Sequence, residues 1–313
     1  MSTLPRYAGT GTDFYVAPPE VAEIVQLAID LGRPLLVEGE AGCGKTLLAS
    51  SVAQEVLGSL DELVKISVKS TSQARDLLYR FDALRRLQDA QNPDNPTAQH
   101  VYPYLSLGPL GDVIHQGRRK VVLLDEIDKA DIDFPNDLLD VLDRFQFQID
   151  DLPLNEEDDC LHERYFGRTV ELKDDAIRPI VIITSNREKR LPEAFLRRCL
   201  YVRLRFPERV DTLIDIVRKN TGLTEEAMGR EILEAVVKCF KALRATARSA
   251  DAEKLPSTSE LIDWVQIVHW KGETVESIEA DPDFPPYWET LFKTFHDLDA
   301  YPAAVKSKRG AKP

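Results

Sequence analysis

Gly39-Glu40-Ala41-Gly42-Cys43-Gly44-Lys45-Thr46 is the stretch on which the reading of this 313-residue sequence turns. It has the spacing GxxxxGK[ST], follows the apolar run LLVE at 35–38 and opens the helical pattern KTLLASSVAQEVL. Glycines let the backbone curl until successive N–H groups point at one spot, and the helix N-terminus adds positive potential there. Such a turn cradles phosphate: Lys45 would reach the β- and γ-phosphates and the Thr46 hydroxyl would hold Mg²⁺. Chance places this octapeptide in roughly one sequence of this length in a hundred, before strand and helix are required. A Gly-rich turn that binds nothing is the bland alternative.

Outward from the loop, VKISV at 64–68, VVLLD at 121–125, PIVIITS at 179–185 and YVRLRF at 201–206 read as strands separated by helical segments. An earlier helix, PPEVAEIVQLAIDL at 18–31, starts at prolines and stops at Gly32. Buried runs alternating with helices predict a parallel sheet covered on both faces. The run VVLLD closes on Asp125 and Glu126, at the sheet edge where open α/β folds bind ligands. Asp125 is placed to hold Mg²⁺ and Glu126 to polarise an attacking water, although two acids after a strand can also just begin a solvated loop. Asn186, closing IITSN at 182–186, could hydrogen-bond both a γ-phosphate and a water, although asparagine there is commonly a turn residue. Twelve residues on, Arg197 and Arg198 end the short helix LPEAFLRR, a place where arginine also serves as plain surface charge.

After Pro207 the texture changes. Ile232, Val236, Cys239, Phe240 and Leu243, then Leu261, Val265 and Val268, recur at three- and four-residue spacing, which predicts a small all-helical second domain. The length alone suggests two domains. The stretch 89–110 is long and irregular, and such loops inside compact domains are usually functional or mobile. The terminal KSKRGAKP is basic, carries Gly and Pro, and reads as disordered.

Lys and Arg number 40 against 53 Asp and Glu, a net charge of −13, which argues against a surface built to grip nucleic acid. Most of the excess is local: residues 125–160 hold fourteen acids against Lys129 and Arg144. Cys43, Cys160, Cys199 and Cys239 are too scattered for a disulfide framework or a paired metal site, so a reducing cytoplasm fits. No apolar stretch approaches the ~20 residues of a membrane span, and the N-terminus lacks a signal-peptide pattern.

GEAGCGKT, VVLLDEIDKA, ITSN and LPEAFLRRC, in this order and with YPYLSLGPL just ahead of the second, resemble the AAA+ ATPases and within them the MoxR-like group. The resemblance runs over about residues 10–270. It implies an α/β fold: a P-loop NTPase α/β/α sandwich with a parallel sheet at 1–206, then a small all-helical lid domain at 207–300, leaving a disordered basic tail at 301–313. It places an insertion in helix 2 at about 92–108 and a β-hairpin before the sensor strand at about 145–173. It further implies a ring, usually hexameric, with ATP and Mg²⁺ between neighbours and an arginine supplied in trans. Carried across by position, Gly39, Glu40, Ala41, Gly42, Cys43, Gly44, Lys45, Thr46 and Leu47 bind nucleotide, with Tyr15, Val16 and Ala17 beside the adenine. Thr46 and Asp125 take the metal, Glu126 the water and Asn186 the sensor role, while Arg198 is the trans finger, with Arg197 in reserve.

One departure stands out. Relatives often carry a second sensor arginine at the start of the third lid helix, where this chain reads Leu255-Pro256-Ser257-Thr258-Ser259-Glu260. Lys254 and Arg248 lie nearby, and neither is assigned the role. Kinship implies a chaperone-like factor that remodels proteins or matures metalloenzymes and complexes, often beside a partner with a von Willebrand factor A domain. Asp150, Asp151, Glu156, Glu157, Asp158 and Asp159 would favour a basic or metal-bearing client over phosphodiesters, unless they serve solubility alone. Tyr102, Tyr104 and Leu105 could grip such a client or could cover the sheet edge. Two other classes stay open: a nucleic-acid-associated motor or restriction-type NTPase, and a slow nucleotide-dependent switch or scaffold.

Overall fold

A computed structural model describes residues 5–92, 95, 100–152, 168–224 and 226–310. Its strands are β1 Leu35–Gly39, β2 Leu63–Ser67, β3 Tyr79–Phe81, β4 Leu105–Leu107, β5 Val121–Asp125, β6 Gln146–Gln148, β7 Thr169–Glu171, β8 Ile180–Ser185 and β9 Leu200–Leu204. Helices α1 Pro19–Leu31, α2 Lys45–Leu57, α3 Ala74–Leu78, α4 Ala83–Ala90, α5 Pro109–Gln116, α6 Asp133–Asp137, α7 Leu139–Arg144 and α8 Glu193–Leu196 alternate with them. Then come α9 Val210–Thr221, α10 Arg230–Ser249, α11 Thr258–Lys271, α12 Val275–Glu279 and α13 Phe295–Gly310.

Five strands form one sheet in the order β2-β5-β8-β1-β9. The pairs β2·β5, β5·β8 and β8·β1 are parallel. Every residue of β5 and β8 is buried, because central strands covered on both faces admit no alternation of polar and apolar residues. Edge strand β2 does alternate and leaves Lys65 half exposed. Register levels the carboxyl ends: Ser67 stands opposite Asp125, Leu124 opposite Ile183, and Glu38 opposite Ser185. The loop at 39–44, Glu126 and Asn186 therefore leave the same edge of the sheet.

The chain divides into two compact units, one of Met1–Gly11, Ala17–Glu38 and Lys45–Arg203, the other of Thr12–Val16, Gly39–Gly44 and Leu204–Pro313. The first is built on the sheet, with Leu36, Val122, Leu124, Val181 and Ile183 at the centre of its core. The second is helical, its core formed by Phe240, Leu243, Leu261, Trp264, Val265 and Tyr301. Trp288 packs against this core, edge-on to Phe284 and Phe292 and tilted against Tyr301, at centroid distances of 5.3, 5.8 and 5.2 Å. Trp270, by contrast, is 81% exposed. No helix among the described residues is long and apolar enough to cross a membrane.

Three expectations fare differently. Around 92–108, the stretch expected to be an insertion, β3 and β4 pair antiparallel, Tyr79 opposite Leu107, with α4 between them in the chain. Tyr102 and Tyr104 are buried, the Tyr104 hydroxyl donating to Asp89 at 2.8 Å, so they pack the insertion rather than project from it. Within 145–173, where a hairpin is expected, β6 pairs antiparallel with β7; Glu156, Glu157, Asp158 and Asp159 lie outside the described residues. The tail requires a correction, because α13 runs through residue 310 instead of leaving 301–310 disordered. Tyr301 and Val305, four residues apart, enter the core, and Arg309, four further, reaches Asp281 at 2.5 Å and Asp283 at 2.8 Å. Burial on one face outweighs the basic composition of the other.

Asp297 ties this last helix to the turn before α11. It is 1% exposed and accepts from the backbone N–H groups of Glu253 at 2.8 Å and Lys254 at 3.1 Å. Burial alone would raise its pKa, but Thr294, those two N–H groups and His296 together hold it below the ordinary carboxylate value. A depressed native pKa stabilises above the unfolded value, near 4, and that stability is lost as pH falls through the native value. Asp297→Ala is expected to cost ~1–3 kcal/mol at neutral pH, and less at about pH 3. All three tryptophans lie in this unit, so urea denaturation followed by their fluorescence reports it; an equal deficit at both pH values would rule out the charge as the cause.

Candidate functional site

At the carboxyl edge of the sheet Asp125 draws three side chains to its carboxylate. Thr184 donates to it at 2.7 Å and Thr46 at 3.2 Å, while Lys65 approaches to 3.0 Å from β2. Burial pulls the Asp125 pKa up, but Thr184, Lys65 and Thr46 outweigh it, so the group stays ionised. A hydroxyl and a carboxylate in contact are hard oxygen donors, a pair suited to a Mg²⁺ ion that keeps most of its ligands as water and phosphate. Among the described residues no cluster of three or more His, Cys, Asp or Glu is placed to hold a metal ion.

Glu126 turns away from β5 with φ 61°, in the left-handed region, and its N–H donates to Thr184 at 2.8 Å. Its carboxylate meets Lys129 at 2.5 Å and the Asn186 side-chain amide at 3.2 Å. Asp128 braces the pair: it is 1% exposed and accepts from the backbone N–H groups of Asn186 at 3.0 Å and Glu188 at 2.8 Å. Arg187, directly after Asn186, pairs with Glu38 and donates to Tyr201 at 2.7 Å, joining the ends of β8, β1 and β9. Thr46, Asp125, Glu126 and Asn186 are thus brought together as a linked set, with Lys45 next to Thr46 at the head of α2.

The loop at 39–44 is packed within the helical unit. Gly42 and Gly44 have φ of 73° and 89°, a conformation that favours glycine. A Cβ on Gly42 would lie 2.2 Å from the Ser257 hydroxyl, and one on Gly44 would lie 3.1 Å from the Tyr15 ring. Thr258 donates to the Gly42 carbonyl, and Ser257 with Glu260 forms the capping box that starts α11. The segment LPSTSE, which offers no arginine, supplies these hydroxyl contacts instead. Arginine comes from α10: Arg244 pairs with Glu40, donates to the Pro256 carbonyl and stacks over Phe206 at 4.0 Å. Tyr15 is buried, Val16 half-buried, and Lys219 secures their segment by donating to the Thr12 carbonyl at 2.6 Å. Leu47 is partly exposed at the first turn of α2.

Arg197 and Arg198 stand apart from the Asp125 cluster. Arg198 pairs with Asp143 at 2.5 Å and donates to the Ala194 carbonyl at 3.3 Å. Arg197 reaches only Glu193 at 3.6 Å among the described ion pairs, and its side chain is 82% exposed. Arg33 fixes the backbone under both, donating to the carbonyl of Arg197 at 2.5 Å and of Arg198 at 3.1 Å.

Lys65, Asp128, Lys129, Arg187, Arg33 and Arg244 are contacts that the motifs did not announce. Lys65 had a signal, a cation interrupting an apolar run. Asp128 and Arg187 had weaker ones, each within two residues of a motif acid or amide.

Residues 35–208 match the family described as ATPase family associated with various cellular activities, AAA. Among solved structures, the S. cerevisiae Hsp104-ADP complex is similar at 18% identity and a TM-score of 0.46, over 72% of this chain and 41% of that one. The chain therefore spans less than half the length of that relative. Domain III of the Thermotoga maritima replication initiation protein DnaA is similar at 17% identity and a TM-score of 0.44, over 91% of this chain and 100% of that one. No curated protein matches significantly.

Proposed function

Because the chain belongs to the AAA ATPase family, we propose that it hydrolyses ATP with Mg²⁺, works as a ring of identical subunits, and remodels a protein client in the manner of the MoxR-like group. The observation that carries the chemistry is the contact set Thr46–Asp125 beside Glu126–Asn186. Gly39, Ala41, Gly42, Cys43 and Gly44 offer backbone to the phosphates, and Lys45 neutralises their charge. Thr46 and Asp125 would hold Mg²⁺, which when bound offsets charge between the β- and γ-phosphates. Glu126 takes a proton from the attacking water as it adds to the γ-phosphorus, and Asn186 orients that water. Tyr15 and Val16 would pack the adenine, and Leu47 would add to nucleotide binding from the first turn of α2.

For the client, support is compositional. Asp151 is neutralised by Arg75, and Asp150 lies 3.9 Å from Arg168, so these two acids are partly spoken for. By charge, the acidic run Glu156, Glu157, Asp158 and Asp159 would favour a basic or metal-bearing protein, or a partner with a von Willebrand factor A domain.

ATP hydrolysis per subunit, measured against protein concentration with molar mass from light scattering, tests the ring. The rate per subunit is expected to rise steeply as oligomers form. Hydrolysis by a monomer at a concentration-independent rate would end the case for a site shared between subunits.

A further inference from the structure

Glu40 puts a negative charge into a loop whose proposed task is to receive a polyphosphate. A carboxylate carried on such a loop opposes the binding of an anion unless it is neutralised. Arg244 is placed to do this. It pairs with Glu40, and its side chain is 5% exposed, held by the Pro256 carbonyl and by the face of Phe206 at 4.0 Å. The guanidinium is planar and stays charged, so a carbonyl can hold one edge and a ring its face while another edge meets the carboxylate. The carbonyl side of the same loop is received by Thr258 at Gly42. Such outward anchoring suits a loop whose N–H groups face inward, since its carbonyls and side chains must be satisfied from outside.

We propose that Arg244 is a positioning residue for nucleotide binding: it cancels and anchors the Glu40 carboxylate so that the loop presents donors, and not an anion, to the phosphates. The inference rests on reading 39–46 as a phosphate loop. Arg244 acts through Glu40 and the loop backbone, which would serve the β-phosphate of ADP and ATP alike. Both nucleotides therefore depend on it.

The test is equilibrium binding of ADP and of ATP to the full chain, for wild type, Arg244→Met, Glu40→Gln and the double variant. Arg244→Met is expected to weaken both nucleotides about tenfold, because it leaves the anion uncompensated. Glu40→Gln removes the anion and its ion pair together, so a loss of no more than about threefold is expected. The double variant is expected to return to within about threefold of wild type, since removing the anion removes the need for the cation. A merely structural arginine would not be rescued by a change at position 40. Arg244→Lys, which keeps the charge but not the planar fork, covers a misfolded Met variant: it is expected to bind more weakly than wild type and more tightly than Arg244→Met. The proposal is overturned if the folded Met variant binds normally, if the loss falls on ATP alone, if the double variant stays as weak as Arg244→Met, or if a folded Arg244→Lys is as weak as Arg244→Met. Wild type that binds neither nucleotide would instead refute the phosphate-loop reading itself, a separate and visible outcome.

Discussion

Glu126→Gln is expected to bind ATP as wild type does and to hydrolyse it at least about a hundredfold more slowly. The change is nearly isosteric, and it leaves Lys45, Thr46 and Asp125 untouched. The amide oxygen can still accept from Asn186, which approaches Glu126 at 3.2 Å, so the turn after β5 keeps one of its two side-chain ties. What is lost is the proton acceptor. The carboxylate has one partner on each oxygen, Lys129 and Asn186, and keeps lone pairs to accept from an attacking water, which a neutral amide cannot deprotonate. Fluorescent-nucleotide binding and single-turnover hydrolysis separate the two effects. Equal loss of binding and hydrolysis would show that Glu126 holds the turn, whose φ of 61° needs support, and does not activate water.

Much of the sheet, and which residues stand at its carboxyl edge, could be read from the residues alone, and the reason is local. A central parallel strand has no solvent face, so VVLLD and IVIITS declare themselves by lacking alternation, and the residue that succeeds each of them must stand at the carboxyl edge. The spacing around Lys45 is equally local. Contacts that depend on distant partners were not legible in this way. Asp128 looked like one more acid in an acidic run, yet its carboxylate receives two N–H groups from the far end of β8. Lys65 could be named a cation in a strand, but only the pairing of β2 with β5 brings it to Asp125. Arg244 comes just after the buried Phe240 and Leu243 on α10 and would pass for the polar edge of an amphipathic helix; its role appears once Glu40 is seen against it. The end of the chain misled for the opposite reason. KSKRG is polar by composition, while Tyr301 and Val305, already spaced as one helical face, were enough to carry α13 to Gly310.

Arg198→Ala is expected to reduce hydrolysis about a thousandfold in every assembly made only of that variant, and to recover part of it when mixed with Lys45→Ala. The expectation comes from where Arg198 is. Its guanidinium rests on Asp143 at 2.5 Å and its backbone is held by Arg33, whereas Thr46, Asp125, Glu126 and Asn186 form a set of their own. An arginine that serves this chemistry without belonging to that set has to serve a neighbour's. Releasing it from Asp143 is cheap, because an ion pair with both members more than a third exposed contributes only about 0–1 kcal/mol. In a randomly mixed ring roughly a quarter of the interfaces join an intact Lys45 to an intact Arg198 of the next subunit, so neither variant alone is active while the mixture is. Arg197→Ala is the companion measurement, since that side chain is the more exposed of the two and is held only by Glu193 at 3.6 Å among the described ion pairs. Should mixed rings form without recovery for Arg198→Ala and with recovery for Arg197→Ala, the trans role passes to Arg197. Recovery with neither would place the charge that completes the site elsewhere and leave Arg198 as the partner of Asp143 alone.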